Sequence, residues 1–281
     1  MPSLRGHFLF CAMAMICFNG DFLSDTVPIV GASNRSFRYG DAVFETGRVE
    51  EGRWQLQQYH MQRLFAGLEA LEMNANNLDA DKLSALLLEV CRLNNCLDSA
   101  RVRLQAFRTE SGAGYIIEAA SLPKMPLSLP QVGYKVDIYP KARKAMDAFA
   151  NLKSSNYLPY VMAERFAQQR GLDEAIVLNA EGNICDGSKT NLFMVRENKI
   201  LTPALHQGCV NGVMRRHVME QLRLHKYEME ETVLTQDDLL TADSIFLTNA
   251  VRGICWVEWF REQRFLREGV QPVLDSVQPT K

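Results

Sequence analysis

Phe37-Arg38-Tyr39-Gly40-Asp41-Ala42-Val43-Phe44-Glu45-Thr46-Gly47-Arg48-Val49 reads as a glycine-marked turn running into a strand. A strand sends alternate side chains to opposite faces, so residues 42–49 place Phe44 and Thr46 in the same pocket. Working outward, residues 15–20 read as a first strand entering a turn. Residues 60–73 carry Leu64, Leu68 and Leu71 at helical spacing, and Leu83, Leu86, Leu87 and Val90 repeat that signal. Residues 101–107 alternate Val102, Leu104 and Ala106 with polar partners, which is a half-buried strand. Its neighbour, residues 115–119, lies across a Gly112-Ala113-Gly114 turn.

Residues 122–131 contain Pro123, Pro126 and Pro130, none of which donates a backbone hydrogen bond, and this stretch reads as a linker. Beyond it, strands are expected at 134–139, 174–179, 192–195, 245–248 and 254–259, with helices at 158–169 and 213–224. The expected architecture is α/β, with an N-terminal lobe over 15–121, a linker over 122–132 and a C-terminal lobe over 133–281. A ligand would sit between the lobes. The apolar run 8–18 is too short to span a bilayer, and Ala12-Met13-Ala14 sits inside it rather than after it. We expect translation to begin at Met13 or Met15, leaving 1–14 as a non-native extension.

The chain has 281 residues, 47% hydrophobic and 23% charged, which suits a globular protein with room for two cores. A net charge of −2 and the lack of a long basic run argue against nucleic acid or an anionic membrane as partner. The seven cysteines form no CxxC pair and lie apart from the five histidines. That pattern fits reduced thiols in a cytoplasm, not a disulfide framework or a zinc site.

The chemistry centres on Lys153 in Asn151-Leu152-Lys153-Ser154-Ser155-Asn156-Tyr157. A lone lysine is ordinarily a solvated charge, but here an apolar residue precedes it and small hydroxyl residues follow. Burial and a neighbouring cation lower an amine's pKa and free it for nucleophilic attack. Downstream, Cys185-Asp186-Gly187-Ser188 supplies an acid that is either a turn residue or a partner for a ring nitrogen. Asn211-Gly212-Val213-Met214-Arg215 opens an amphipathic helix, with Asn211 as a candidate N-cap, and free helix N–H groups attract an anion. Thr248-Asn249-Ala250-Val251 ends a strand in a second small-residue turn, and Arg63 adds positive charge. An amine, an acid and two backbone loops are the parts needed to hold pyridoxal 5′-phosphate.

Taken in this order, the opening stretch 37–49 and the elements that follow resemble the class IV aminotransferases, the fold-type IV pyridoxal-phosphate enzymes. The likeness runs from Met15 to about Trp259. It implies a two-domain α/β homodimer with the cofactor between domains. Lys153 is similar to the Schiff-base lysine that also moves the Cα proton, and Arg63 to a phosphate ligand. Val213 and Met214, with Ala250 and Val251, match the backbone phosphate cradle. Asp186 stands where the family normally has glutamate, one C–C bond (about 1.5 Å) longer.

The family includes D-amino-acid and branched-chain aminotransferases and 4-amino-4-deoxychorismate lyase. Val210-Asn211-Gly212-Val213-Met214-Arg215 and Thr248-Asn249-Ala250-Val251 are closer to the lyase form. The favoured expectation is elimination giving 4-aminobenzoate and pyruvate from a small amino substrate. Transamination is the alternative, and a non-catalytic cofactor-binding relative the second alternative. Phe44, Thr46, Arg48 and Arg108 are the expected substrate contacts, the arginines by bidentate pairing with carboxylate. A solvated arginine at a strand end reads equally well for Arg108.

Overall fold

The computed structural model describes residues 14–125 and 128–277, which build two sheets with helices packed on each. In the first sheet, β1 (Met15–Phe18) and β2 (Asp21–Ser24) form an edge hairpin. After α1 (Arg35–Tyr39) come β3 (Ala42–Glu50) and β4 (Arg53–Trp54), then β5 (Ser99–Thr109) and β6 (Gly112–Ser121). The order β2-β1-β6-β5-β3-β4 is antiparallel throughout.

Helices α2 (Gln57–Ala70) and α3 (Ala80–Leu93) cover one side of this sheet. Asp79 caps α3 by accepting the Lys82 N–H at 2.7 Å, which satisfies one of the free donors at the helix start. Leu64 and Leu68 of α2 and Leu83, Leu87 and Val90 of α3 bury against Val43, Val102, Leu104 and Ile117. Each such leucine contributes about 1.5–3 kcal/mol by leaving water. Gly67 lets α2 come close to β3, since a Cβ there would meet Val43 Cγ1 at 3.1 Å. The expected helix over 60–73 stops earlier, at Ala70, because Glu72 turns left-handed with φ 51°. The pleat of β3 and β5 decides the rest. Val43 and Glu45 face the helices, as do Val102 and Leu104, so Phe44, Thr46, Arg101, Arg103 and Gln105 face the other way, into a cleft.

The second sheet is mixed. Its strands are β7 (Tyr134–Lys144), β8 (Glu174–Asn179), β9 (Ile184–Gly187), β10 (Asn191–Arg196), β11 (Lys199–Pro203), β12 (Met229–Thr232), β13 (Ser244–Asn249) and β14 (Gly253–Phe260). They run in the order β12-β11-β10-β13-β14-β7-β8-β9, with β15 (Gln263–Arg264) hairpinned onto β14. One side is packed by α4 (Leu158–Arg170), whose Tyr160, Ala163 and Ala167 meet Tyr139, Ala175 and Val177. Val218, Met219 and Leu222 of α5 (Val213–Leu224) join Phe193, Phe246 and Trp256, with Val273 and Leu274 of α7 (Gln271–Val277). The short α6 (Gln236–Leu240) carries a capping box at Thr235 and Asp238.

The two halves are joined by more than the chain crossing after β6. Phe44 N–H donates to the Lys153 carbonyl at 2.9 Å, and Ser155 N–H donates to the Ala42 carbonyl at 2.8 Å. The Lys153 segment therefore adds one rung to β3 of the first sheet. Helix α2 meets α5 through Tyr59 and Glu220, and through Arg216 and Gln62 at 2.8 Å. The expected extension 1–14 lies, Ala14 apart, outside the described residues. Among the described residues no helix is long and apolar enough to cross a membrane.

Candidate active site

The cleft between the sheets has a volume of about 1000 Å³. Lys153 projects into it, held from behind by the rung to β3. Its Nζ lies 3.2 Å from the Tyr157 hydroxyl, 4.6 Å from the Phe44 ring centre and 4.8 Å from that of Tyr157. Loss of solvation, followed by the charge of Arg63, draws the amine down to about 7. In cofactor-free protein the labelling of Lys153 by trinitrobenzenesulfonate, followed by peptide mapping, will rise through pH 7 and level off above it. An ordinary lysine would not level off until roughly pH 10.4. The sign follows from the lowered value: the neutral, reactive amine predominates above about 7.

Asp186, at 1% exposure on β9, lines the same cleft as Lys153. Its Oδ2 accepts from the Tyr160 hydroxyl at 2.6 Å and the Val210 N–H at 2.9 Å, and its Oδ1 accepts from Asn191 Nδ2 at 2.8 Å. Burial raises the carboxyl above its usual range, and the Lys144 charge works against that rise. The turn after Asp186 is held by Glu174, whose carboxylate accepts from Ser188 N–H at 3.0 Å and Thr190 Oγ1 at 3.1 Å.

At the far end of the cleft, Arg63 Nε and Nη2 donate to Glu45 at 2.8 and 2.5 Å, and His60 Nδ1 stands 2.5 Å from the same carboxylate. Burial alone would raise Glu45, but the charge and hydrogen bonds of Arg63, with those of His60, bring it to about 2. The bidentate pair fixes the guanidinium at the start of α5, where Nη1 donates to the Asn211 carbonyl at 3.1 Å. The N-cap of α5 is Gly212, not the expected Asn211, and no side chain caps it. A Cβ on Gly212 would lie 1.9 Å from Asn191 Oδ1, so only glycine fits beside that side chain. Val213 and Met214, the first residues of α5, line the cleft together with Ala250 and Val251. The N–H of Val251 is already given to Asn249 Oδ1 at 3.0 Å. The polar group this turn offers instead is the Thr248 hydroxyl, buried and without a hydrogen-bond partner among the described residues.

Two expected substrate contacts are corrected by the geometry. Arg48 does not line the cleft. It is 5% exposed and bonds to Glu50 at 2.8 Å, Ser99 Oγ at 3.0 Å, the Val251 carbonyl at 3.2 Å and the Pro123 carbonyl. It is a strut between β3, the chain crossing and the 249–252 turn. Arg48→Met removes the ion pair to Glu50 and a donor from the Val251 carbonyl, while Glu50 keeps the Met125 N–H and the Pro123 carbonyl keeps Ser99 Oγ. The variant is expected to lose about 1–3 kcal/mol on urea unfolding. Arg108 is also turned away. It pairs with Asp41 at 2.9 Å and donates to the Leu71 and Glu72 carbonyls at 2.6 and 3.1 Å, satisfying the free acceptors at the end of α2. Phe44 and Thr46 do line the cleft.

Sequence reasoning passed over Arg101 and Arg103, which alternate with Val102 and Leu104 and so face the cleft beside Thr46. Arg103 lies 3.9 Å above the Phe44 ring and donates to Gln105 at 2.7 Å. The alternation was visible, but only its apolar half was read. Tyr157 and Tyr160, stacked at 4.4 Å, were also missed; three residues apart at a helix start, they share one face.

Residues 42–258 match the family described as amino-transferase class IV. The chain belongs to the class IV aminotransferases. It is 30% identical over 258 residues to an aminodeoxychorismate lyase of Bacillus subtilis, covering 85% of this chain and 84% of that one. It is 29% identical over 248 residues to a putative branched-chain-amino-acid aminotransferase of Methanocaldococcus jannaschii, covering 85% of each. The fold is that of the Escherichia coli branched-chain amino acid aminotransferase, with a TM-score of 0.82, 23% identity and coverage of 94% and 92%. Class IV aminotransferases are pyridoxal-phosphate enzymes, and this chain is one of them. Its cleft suits that group. It offers a desolvated amine, a buried acid, a side-chain-free helix start beside Arg63, and the unpartnered Thr248 hydroxyl.

Proposed function

We propose that this enzyme is an aminodeoxychorismate lyase, releasing 4-aminobenzoate and pyruvate. The supporting observation is the pair Arg101 and Arg103 on the cleft face of β5, with Arg103 over the Phe44 ring that also neighbours Lys153. Glu118 on β6 lies 3.8 Å from Arg103 and offsets one of the two charges, which leaves Arg101 and the net positive charge of this face to attract a substrate carboxylate. Aminodeoxychorismate carries one carboxylate on its ring and a second on the enolpyruvyl side chain, and the apolar side chains of Phe18, Phe107 and Ile116 flank the same wall. The Bacillus subtilis lyase is among the relatives of similar identity.

In this reading Arg63 and the first amides of α5 bind the cofactor phosphate. Asp186 holds the proton on the ring nitrogen through the second lone pair of Oδ1, which the Asn191 contact leaves open. Pyridoxal phosphate, when bound, supplies the electron-withdrawing ring that acidifies the substrate Cα–H. Lys153, whose amine burial draws down to about 7, takes that proton as general base, and its carbonyl rung to β3 keeps the amine aimed. Tyr157, 3.2 Å away, fixes the direction of the amine. The C–O bond on the neighbouring ring carbon would then break, its electron pair leaving with the enolate of pyruvate, which takes up a proton to become pyruvate as the ring becomes aromatic.

The Methanocaldococcus jannaschii relative favours a second reading, in which the proton taken by Lys153 is returned elsewhere and a keto acid leaves. A dicarboxylic amino acid would meet the same arginines. Incubation with aminodeoxychorismate and quantification of 4-aminobenzoate separates the two. Absence of that product, with keto acid formed from a panel of D- and L-amino acids, overturns the lyase. We also expect a homodimer, supported by Phe37 and Tyr39, 77% and 65% exposed on α1 at the cleft side.

A further inference from the structure

Lys144 ends β7 and does not line the cleft, yet it is only 9% exposed. Its Nζ has no hydrogen-bond partner among the described residues. The nearest group of opposite charge is Asp186, whose Oδ2 lies 3.5 Å away, and the Tyr160 ring centre is 5.1 Å off. The backbone places it there by an irregularity. Ile138 pairs with Ile176 and Arg143 with Leu178, so three extra residues of β7 are thrown out of the ladder before Lys144 registers with Asn179. Bulges of this kind re-aim side chains.

A buried ammonium without a counter-ion is costly, so this position is tenable only beside the acid. Asp186 gains from it in turn. Its hydrogen bonds come from a phenol, an amide, a backbone N–H and the Cys185 thiol, all neutral. The other titratable groups facing it are the Cys185 and Cys209 thiols and the Tyr157 and Tyr160 phenols, all pushed upward by burial and therefore uncharged. Lys153 faces it too, but that amine is committed once the cofactor is in place. Lys144 is then the standing positive charge at this carboxylate.

We propose that Lys144 is a positioning residue that acts from behind the cleft, keeping Asp186 an anion and aiming it at the cofactor ring nitrogen. The inference rests on the proposed role of Asp186. An acid that took up a proton would keep a carbonyl acceptor but lose the negative charge that favours the protonated ring nitrogen, so the ring end of the cofactor would be held more weakly. The rim of the cleft has no part in this, so the effect is on cofactor electronics and retention, not on substrate fit.

The test uses holoenzyme of the wild type, Lys144→Met, Lys144→Arg, Asp186→Asn and the Lys144→Met/Asp186→Asn double variant. For each, the visible absorption band of bound pyridoxal phosphate is titrated with pH and the cofactor dissociation constant is measured. Lys144→Met is expected to shift the titration of the band and weaken retention about tenfold, the size typical of coupled contacting residues. Lys144→Arg restores most of both, and Lys144→Met adds nothing once Asp186 is Asn. A wild-type band and affinity in folded Lys144→Met, or the same loss in the Asp186→Asn background, overturns the proposal. Should Lys144→Met not fold, Lys144→Gln carries the same comparison. A change in Asp186→Asn with none in Lys144→Met sinks only the lysine, whereas no change in Asp186→Asn sinks the reading of the acid.

Discussion

Lys153→Ala is expected to lower turnover by about 10⁴-fold, the upper end of what a positioned general base contributes. The loss should appear in kcat with folding intact, because the side chain makes no buried polar contact beyond the Tyr157 hydroxyl and the rung to β3 is backbone. Borohydride reduction of the wild-type holoenzyme and peptide mapping should place the phosphopyridoxyl label on the peptide containing Lys153. In the variant the cofactor should dialyse away unlabelled. A label on another lysine, or a variant with more than about one per cent of normal turnover, would remove Lys153 from the centre of the mechanism.

The second large effect is at Asp186. Asparagine there keeps the shape and loses the charge, and turnover is expected to fall by about 10²–10³-fold, the scale of losing one fixed electrostatic contact. Alanine should do something different. Like asparagine it leaves the Lys144 ammonium without its counter-ion, but it also takes the acceptor from Tyr160, Asn191 and the Val210 N–H. A loss of about 3–5 kcal/mol is expected, read as a drop in the urea midpoint. If Asp186→Asn retains full turnover, the acid is structural.

The elements were legible where periodicity and punctuation agreed. The leucines of α2 and α3 and the alternation of β5 each point to one answer, and those elements form there, although the turn expected at 112–114 lies instead at 110–111, with Gly112, Ala113 and Gly114 paired inside β6. Lys153, Asp186 and Gly212 stood out for a different reason: an amine, an acid and a helix start form a chemical set, and the fold brings all three to one cleft. What could not be read was the destination of arginines. Arg48 and Arg108 looked like carboxylate ligands because each could form a bidentate pair, but both are consumed by carbonyls that only the fold brings near. Arg101 and Arg103 looked like the solvated half of a strand because nothing local shows that a second sheet closes over that face. Lys144 was hidden by a bulge, since counting alternate residues along β7 cannot reveal where three residues leave the ladder.

The rung between Lys153 and β3 has a consequence for assembly. The reactive amine is encoded in one half of the chain, yet its backbone is seated on the sheet of the other half. A protein cleaved in the crossing segment and mixed back from its two fragments would have no aimed amine until that seam reformed. Return of the yellow cofactor colour would then serve as a clock for the docking of the halves, ticking independently of how fast either fragment acquires its own helices and strands.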